Sequence, residues 1–496
     1  MAEIFYTSDV HTYYWDTDYI RASAMEGGYF KTARHFAPDA LIIDGGDVLQ
    51  GSPFAQRQYK EGFPHLIQAE VMNAAGVAVY VPGNHDFDFG SELFMRFVEA
   101  LDATLVCANL VDHSGRIKAA PYLLYTAADG ITIAVVGVVT DYVNIWEGRE
   151  TLGPLEVTDS VEAARAAYAA VRSEDADYTV LVYHGGYDDA SHSAENRANE
   201  LSALGFDILL TAHQHTVVHP YRLNGTLTLQ AGSQAMHYAH VDLQRFSVTA
   251  AVLESGSGPV YEQAALSAVK ARYEGRQLQL INTLAEPIGR TETIFSDRSK
   301  LDSALHGSTL ADFFNAVQLR HTGSDISCVS LFNHPRSLGQ VVTAGDVLAV
   351  YPFPNTLVVL QVDGKTLKQA LERCASYFDL EEGRVKISDR FLIPKVEHYN
   401  YDYYQNLVYT FDLRQDLTKR VVLLEFDGID LLSCPDYQLT LTLNNYRATG
   451  TGGYGFFVEC PVIARYKSDV QDLILAEFAG GRTVCQPPPS TFSVIY

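Results

Sequence analysis

The sequence predicts a two-domain α/β protein, and three observations predict it. The chain has 496 residues, enough for two or three domains with sizeable cores. Its composition, 47% hydrophobic and 19% charged, excludes a disordered or low-complexity chain. Its first half repeats one pattern, a short apolar run of strand-like composition that stops at a cluster of Asp, Asn, His and Gly.

Taken in order, Ile4 to Thr7 runs into Ser8-Asp9-Val10-His11, Leu41 to Ile43 into Asp44-Gly45-Gly46-Asp47, and Val77 to Val81 into Pro82-Gly83-Asn84-His85-Asp86. Ile131 to Val139 then meets Thr140-Asp141, Thr179 to Tyr183 meets His184-Gly185-Gly186, and Ile208 to Thr211 meets Ala212-His213-Gln214-His215. Near-continuous apolar strands are those covered on both faces. Helical stretches at Pro64 to Ala75, Ser91 to Leu101 and Ser160 to Arg172 supply the cover. In such layered folds the loops beyond the strand ends meet in one crevice, so the polar clusters should converge.

The stretch Tyr261 to Glu286 is polar and helix-forming and stops at Pro287-Ile288-Gly289, which places a domain boundary near residue 286 and divides the chain into 1–285 and 286–496. The second part has strands at Thr356 to Val362 and Gln438 to Leu443, a helix from Thr366 to Tyr377, and many tyrosines in irregular loops.

Charge narrows the partners. With 36 Lys and Arg against 60 Asp and Glu, the net charge of -24 repels polyanions, so no nucleic-acid polymer is expected. A small anionic substrate fits if bound cations reverse the sign locally. The six cysteines form no C-x-x-C pair and read as reduced, mostly buried thiols. No run reaches the length needed to span a bilayer, and Met1-Ala2-Glu3 leads straight into strand-like sequence with no basic leader. The expectation is a cytoplasmic protein with no membrane or protein partner; a secreted or cell-wall protein expressed without its leader would look the same.

Two divalent transition metals held together need a bridging carboxylate and a set of imidazole, carboxylate and amide ligands on rigid positions. The strand-end clusters supply that set. Asp9 and His11, two apart on an extended segment, should point the same way and grip one ion. Asp47 follows glycines that let the backbone turn close, which suits a bridging ligand; Asn84 offers a neutral oxygen, and His184, His213 and His215 offer nitrogens. A lone D-x-H or H-x-H is more often an ordinary turn or strand edge, but five such clusters in order, each capping a buried strand, are not explained that way.

Asp9-x-His11, Gly46-Asp47-x-x-x-Gly51, Gly83-Asn84-His85-Asp86, His184-x-Gly186 and His213-x-His215 together resemble the signature of the calcineurin-like metallophosphoesterases. The layout, with a second domain after the metal domain, resembles the 5′-nucleotidase family. That resemblance implies a four-layer α/β/β/α metal domain followed by a smaller α+β substrate-binding domain. It implies one metal on Asp9, His11, Asp47 and His215 and the other on Asp47, Asn84, His184 and His213. It also implies that His85 and the acidic residue three positions on, Asp88, form a dyad that stabilises the developing charge and protonates the leaving oxygen. Asp86 then supports the site from behind, and the nucleophile is a metal-activated water attacking in line. A His, Asp and Asn set accepts manganese, zinc, cobalt or iron.

Specificity has to come from the second domain. Tyr351-Pro352-Phe353-Pro354-Asn355-Thr356-Leu357 is similar to the substrate loop of 5′-nucleotidases, where the aromatic, here Phe353, stacks on the base and the amide, here Asn355, contacts the nucleoside. Tyr446 is by position the second aromatic. The stretches around Tyr399, Leu371 to Phe378 and Asn444 to Ala448 look more like the 2′,3′-cyclic-nucleotide 2′-phosphodiesterase/3′-nucleotidase branch. Two departures stand out: Gly452 holds the place of an Asp that binds ribose, and an Asn-Gly-Gly-x-Arg clamp is reduced to Asn333-His334-Pro335-Arg336. Arg336 and Arg447 are candidates for anion contacts. Gly450 to Gly455 fits G-x-G-x-x-G, but strand-like sequence follows it and a dinucleotide motif must open a helix. The expected activity is hydrolysis of 2′,3′-cyclic nucleotides and 3′-nucleotides. A 5′-nucleotidase or nucleotide-sugar hydrolase is the alternative, and a silent nucleotide-binding protein is a third reading, of a different class.

Overall fold

A computed structural model describes every residue except 1, 22, 63, 189–194, 335, 354 and 394–395. Pro335 and Pro354 of the two loop motifs therefore lie outside the described residues. The chain divides into two units, Met1–Ile281 and Asn282–Tyr496, within the helix Ala264–Ala285.

The main strands of the first unit are β1 (Ala2–Thr7), β2 (Leu41–Asp44), β3 (Val79–Tyr80), β4 (Thr104–Leu105), β5 (Tyr122–Thr126), β6 (Thr132–Val139), β7 (Tyr178–His184), β8 (Ile208–Thr211), β9 (Val217–Leu223), β10 (Thr226–Ala231), β11 (His237–Gln244) and β12 (Ser247–Glu254). They form two six-stranded sheets, ordered β12-β11-β1-β2-β3-β4 and β9-β10-β8-β7-β6-β5. The central strands β1 to β4 run parallel, as do β6, β7, β8 and β10. Both sheets therefore end their inner strands at one edge.

The apolar alternation sets the layers. Ile4, Tyr6, Leu41, Ile43 and Val79 of one sheet pack with Ile133, Val135, Val180, Val182 and Leu210 of the other in a single core. The intervening residues Ala134, Val136, Val138, Leu181 and Leu209 face outward onto the helix Ser160–Val171, through Val161, Ala164, Ala167 and Val171. That helix starts where Asp159 accepts a hydrogen bond from the Glu162 N–H. The result is the α/β/β/α sandwich expected. The near-continuous apolar strands are explained by it, because each has a sheet on one face and a helix on the other.

The second unit is α+β. Its larger sheet has β13 (Ile326–Ser330), β14 (Thr356–Asp363), β15 (Asp402–Gln405), β16 (Gln438–Asn444) and β17 (Val462–Asp469) in the order β15-β13-β16-β14-β17. The helices Thr309–Thr322 and Gly364–Ala375 are capped by Ser308 and Asp363, and their residues Phe313, Phe314, Leu367 and Leu371 are buried in the unit's core. A four-stranded sheet includes Val408–Asp412 and the C-terminal strand Thr491–Ile495. No described helix is long and apolar enough to cross a membrane. Of the cysteines, Cys107, Cys328 and Cys374 are buried, whereas Cys434 and Cys485 are exposed.

Candidate metal centre

The loops that leave β1, β2, β3, β7 and β8 converge at one end of the two sheets. Backbone bonds lock them together: the Asp9 N–H donates to Gly46 O (2.8 Å), and the His11 N–H donates to Asp47 O (2.8 Å). Asp86 lies beneath them and accepts from the backbone N–H groups of Asp47, Val48, Leu49 and Gly83 and from Tyr80 Oη, at 2.7 to 2.9 Å. The loops approach so closely that a Cβ on Gly46 would stand 2.1 Å from Gly83 N, and one on Gly83 would stand 2.2 Å from Asp47 Oδ1. Only glycine fits at both positions.

One expectation is corrected here. Asp9 and His11 are not extended but left-handed, with φ of 54° and 52°. Asp47 (59°), His213 (73°) and His215 (55°) share that conformation. A non-glycine residue there costs about 1 to 3 kcal/mol, and it persists only where the surrounding bonds impose it. Alternation along a strand does not aim these side chains; turns just beyond the strands do.

The side chains meet. Ligand atoms of Asp9, His11, Asp47 and His215 all lie within 4.8 Å of one another. His11 Nε2 faces His215 Nε2 at 2.9 Å, and His215 Nε2 is 3.5 Å from Asp9 Oδ1. On the other side Asn84 Oδ1 is 2.8 Å from His213 Nδ1 and 3.2 Å from His184 Nε2. Asp47 stands between the two groups. Its Oδ1 accepts from the His85 N–H at 2.8 Å, while its Oδ2 is buried with no hydrogen-bond partner among the described residues, 3.3 Å from His184 Nε2 and 3.8 Å from His11 Nε2.

Electrostatics say what is missing from such a cluster. Burial pulls the His11 imidazole down to about 4. For His184 burial acts in the same direction, but the Asp47 carboxylate outweighs it and holds the ring up at about 9. Burial likewise opposes the charged form of Asp47, yet the facing imidazoles, His184 foremost, keep its carboxyl well below the usual range. A buried carboxylate oxygen without a donor, flanked by imidazole nitrogens that face one another, fits a divalent cation as the missing partner.

Outer contacts aim the rings. His11 Nδ1 meets Gln50 O (2.7 Å), and His184 Nδ1 meets Gly45 O (2.5 Å). His213 differs, because its Nε2 meets a carboxylate, Glu195 Oε1, at 2.9 Å, and its ring stacks on Trp146 at 5.5 Å. Sequence reasoning missed Glu195 and Trp146, since neither sits in a spaced motif. At the rim, His85 Nδ1 is 3.0 Å from Asp88 Oδ2. Burial lowers the proton affinity of His85, but the carboxylates of Asp88 and Asp47 reverse the sign and raise it to about 10. Burial and the adjacent Asp88 carboxylate push the Glu147 carboxyl well above its usual range, a third member of this group that the sequence did not flag.

In the second unit β14 and β16 pair with Leu357 opposite Asn444, so the loops carrying Phe353 and Tyr446 leave from the same end. Asn445 Oδ1 accepts from the Thr356 N–H (3.0 Å) and ties the two loops together. Phe353 is 45% exposed, with its ring 5.0 Å from that of Phe332. Asn355 and Tyr446 are half-buried. Asn333 clamps a neighbouring loop, donating from Nδ2 to Val396 O (2.7 Å) and accepting at Oδ1 from the His398 N–H (3.0 Å), while Arg336 is half-buried beside it.

Arg447 is a second correction. It is 3% exposed, its Nε is 2.9 Å from Asp402 Oδ2, and its Nη atoms donate to Tyr399 O and Thr451 O. Its guanidinium lies 4.0 Å over the Tyr454 ring. With its donors engaged inside the fold it is a structural cation, not an anion contact. The same packing accounts for Gly452: a Cβ there would stand 2.1 Å from Asn400 Oδ1 and 2.6 Å from Arg447 Nη1, so no side chain fits. After Gly450 to Gly455 comes a single 3-10 turn, Gly455–Phe457, and no α-helix.

Comparison with known proteins agrees with this division. Residues 3–217 match the calcineurin-like phosphoesterase family, and residues 287–459 match the 5′-nucleotidase C-terminal domain. The chain is 22% identical to the trifunctional nucleotide phosphoesterase of Bacillus subtilis over 90% of its length, spanning 36% of that protein. It is 25% identical to the 2′,3′-cyclic-nucleotide 2′-phosphodiesterase/3′-nucleotidase of Salmonella typhimurium, covering 90% of this chain and 80% of that one. Among solved structures, a Staphylococcus aureus protein provisionally named a 5′-nucleotidase, in complex with alpha-ketoglutarate, superposes with a TM-score of 0.88 and 26% identity over the whole of both chains.

Proposed function

We propose, for a chain that joins a calcineurin-like phosphoesterase domain to a 5′-nucleotidase C-terminal domain and so belongs to the two-domain nucleotidases of that family, hydrolysis of 2′,3′-cyclic nucleotides and 3′-nucleotides to nucleoside and phosphate. The observation that carries it is the buried, donorless Asp47 Oδ2 between two groups of imidazole and carboxamide ligands, with the His85–Asp88 pair beside them.

Asp9, His11, Asp47 and His215 hold one divalent ion in this reading, and Asp47, Asn84, His184 and His213 hold a second. When bound, such a pair neutralises phosphoryl charge and supplies an activated water. The chain's own residues do the rest. Asp86 holds the turns of Asp47 and Asn84 in register, so the ligands need not reorganise on binding. His85 carries the proton on the ring that Asp88 orients, and from Nε2 it stabilises a phosphoryl oxygen and protonates the departing ribose oxygen. Phe353 and Tyr446 take the base and Asn355 the nucleoside, with Asn333 and Arg336 bordering that loop region.

The second reading, a 5′-nucleotidase, is favoured by the full-length similarity to the Staphylococcus aureus structure. Phosphate release from 3′-AMP and 5′-AMP, measured beside loss of 2′,3′-cyclic AMP, separates the two. Turnover of the 3′ and cyclic substrates supports the first reading, and turnover of 5′-AMP alone supports the second.

A further inference from the structure

Away from the metal ligands, the first unit has a polar pocket of about 170 Å³ lined by Phe54, Arg57, Gln58, Glu61, Arg276 and Gln279. Its floor is a side chain with a donor to spare. Gln58 is 3% exposed and its Nε2 has no hydrogen-bond partner.

The orientation of that amide follows from a chain of bonds. The one Thr12 hydroxyl proton goes to Val48 O (2.7 Å), so Thr12 Oγ1 can only accept from Gln68 Nε2 (3.2 Å). Gln68 Nε2 gives its other proton to Gln58 at 3.1 Å, which must therefore present Oε1 to it. Gln58 Nε2, with two N–H groups, is left for the pocket. The amide is buried in a donor-only role, a costly arrangement unless something accepts from it.

The walls add charge. Arg57 Nε is 2.9 Å from Glu61 Oε1, and Arg276 Nη1 is buried without a hydrogen bond, 3.9 Å from Glu61 Oε2. Two guanidiniums against one carboxylate leave one net positive charge, unusual on a chain of net charge -24. The buried Phe54 ring closes one side. The volume is well below the roughly 300 Å³ at which pockets begin to enclose drug-sized ligands, so a nucleotide does not fit.

We propose that this pocket is a second binding site of the protein, for a small oxyanion held by Gln58 Nε2, Arg57 and Arg276. A phosphate monoanion and a carboxylate share the chemistry, since each offers two oxygens to a guanidinium edge and a third contact or an apolar face to the remaining wall. The site goes beyond the proposed activity. The bonds from Gln58 through Gln68 and Thr12 end at Val48 O, next to Asp47, so an occupant is one hydrogen-bond chain from the backbone that carries a metal ligand.

The test is calorimetric titration of inorganic phosphate, and separately of acetate, into the metal-loaded full chain, for the wild type, Gln58→Leu and Arg276→Ala. The wild type should show two classes of phosphate site, one at the metal centre and one in the pocket. Arg276→Ala, on the rim and outside the catalytic residues, should keep the first class and weaken the second at least tenfold while turnover and Tm stay unchanged. Acetate filling the pocket class alone also supports the proposal and identifies a carboxylate as its ligand. A single class in the wild type, or two classes untouched by Arg276→Ala, overturns it. Loss of the metal-centre class with the pocket class intact counts against the proposed metal centre and leaves this one standing.

Discussion

The imidazole of His213 is backed by a carboxylate: its Nε2 lies 2.9 Å from Glu195 Oε1, whereas the outer nitrogens of His11 and His184 meet backbone carbonyls. A carboxylate behind a ligating imidazole fixes its tautomer and raises its basicity, and its loss typically costs about 10- to 100-fold in metal affinity or activity. Glu195→Gln should therefore loosen the ion shared by Asn84, His184 and His213 about tenfold and leave the other in place. Metal content after stepwise chelation reads this directly; two ions lost at unchanged concentrations of chelator would refute the role assigned to Glu195.

His85 and Asp88 are outside both ligand sets, so their removal should separate binding from chemistry. His85→Ala should lower kcat by about 10²- to 10⁴-fold with metal content unchanged. Asp88→Asn should lower it less, because the ring remains and only its orientation and charge are disturbed. Steady-state kinetics with metal analysis on the same samples is the check, and a metal-depleted His85→Ala protein would point to a structural role instead.

Asp44 lies under the site, 1% exposed, accepting from the Gly46 N–H at 2.9 Å and from Thr7 Oγ1 at 3.2 Å. Burial raises its carboxyl from 3.8 to about 8. The folded form thus holds a proton that the unfolded form releases above 3.8, so this group's contribution to stability is full below that pH and is lost as pH rises towards 8. The slope is at most about 1.4 kcal/mol per pH unit. Asp44→Asn should flatten the fall of stability across this window, as followed by denaturant unfolding at several pH values. An unchanged slope would mean that Asp44 is ionised in the fold.

Arg447 and Phe353 make opposite predictions in the second unit. Arg447→Ala strips a buried carboxylate, Asp402, of its partner and should cost about 3 to 5 kcal/mol of stability. Phe353→Ala removes a ring that is 45% exposed and should leave Tm nearly unchanged, while raising KM by the loss of about 1 to 3 kcal/mol of base stacking. Thermal unfolding and KM for a nucleotide substrate distinguish the two. A KM effect confined to Arg447→Ala would reverse the assignment.

The sequence by itself determined the layered first domain and the membership of its site. Apolar runs such as Ile133 to Val139 can be satisfied only when covered on both faces, and polar clusters at their ends then have one place to meet. It also identified His85 and Asp88 as neighbours, because they are close along the chain. Only the tertiary structure decided how the ligands are aimed, since Asp9, His11, Asp47, His213 and His215 take left-handed turns held by contacts such as those of Asp86, which no local pattern encodes. The same holds for Glu195 behind His213, for the orphaned amide of Gln58, and for the burial of Arg447 against Asp402. Local periodicity reports which face of a strand is covered. What stands opposite a given polar atom depends on residues far away in the chain, and that information appears only when the chain is folded.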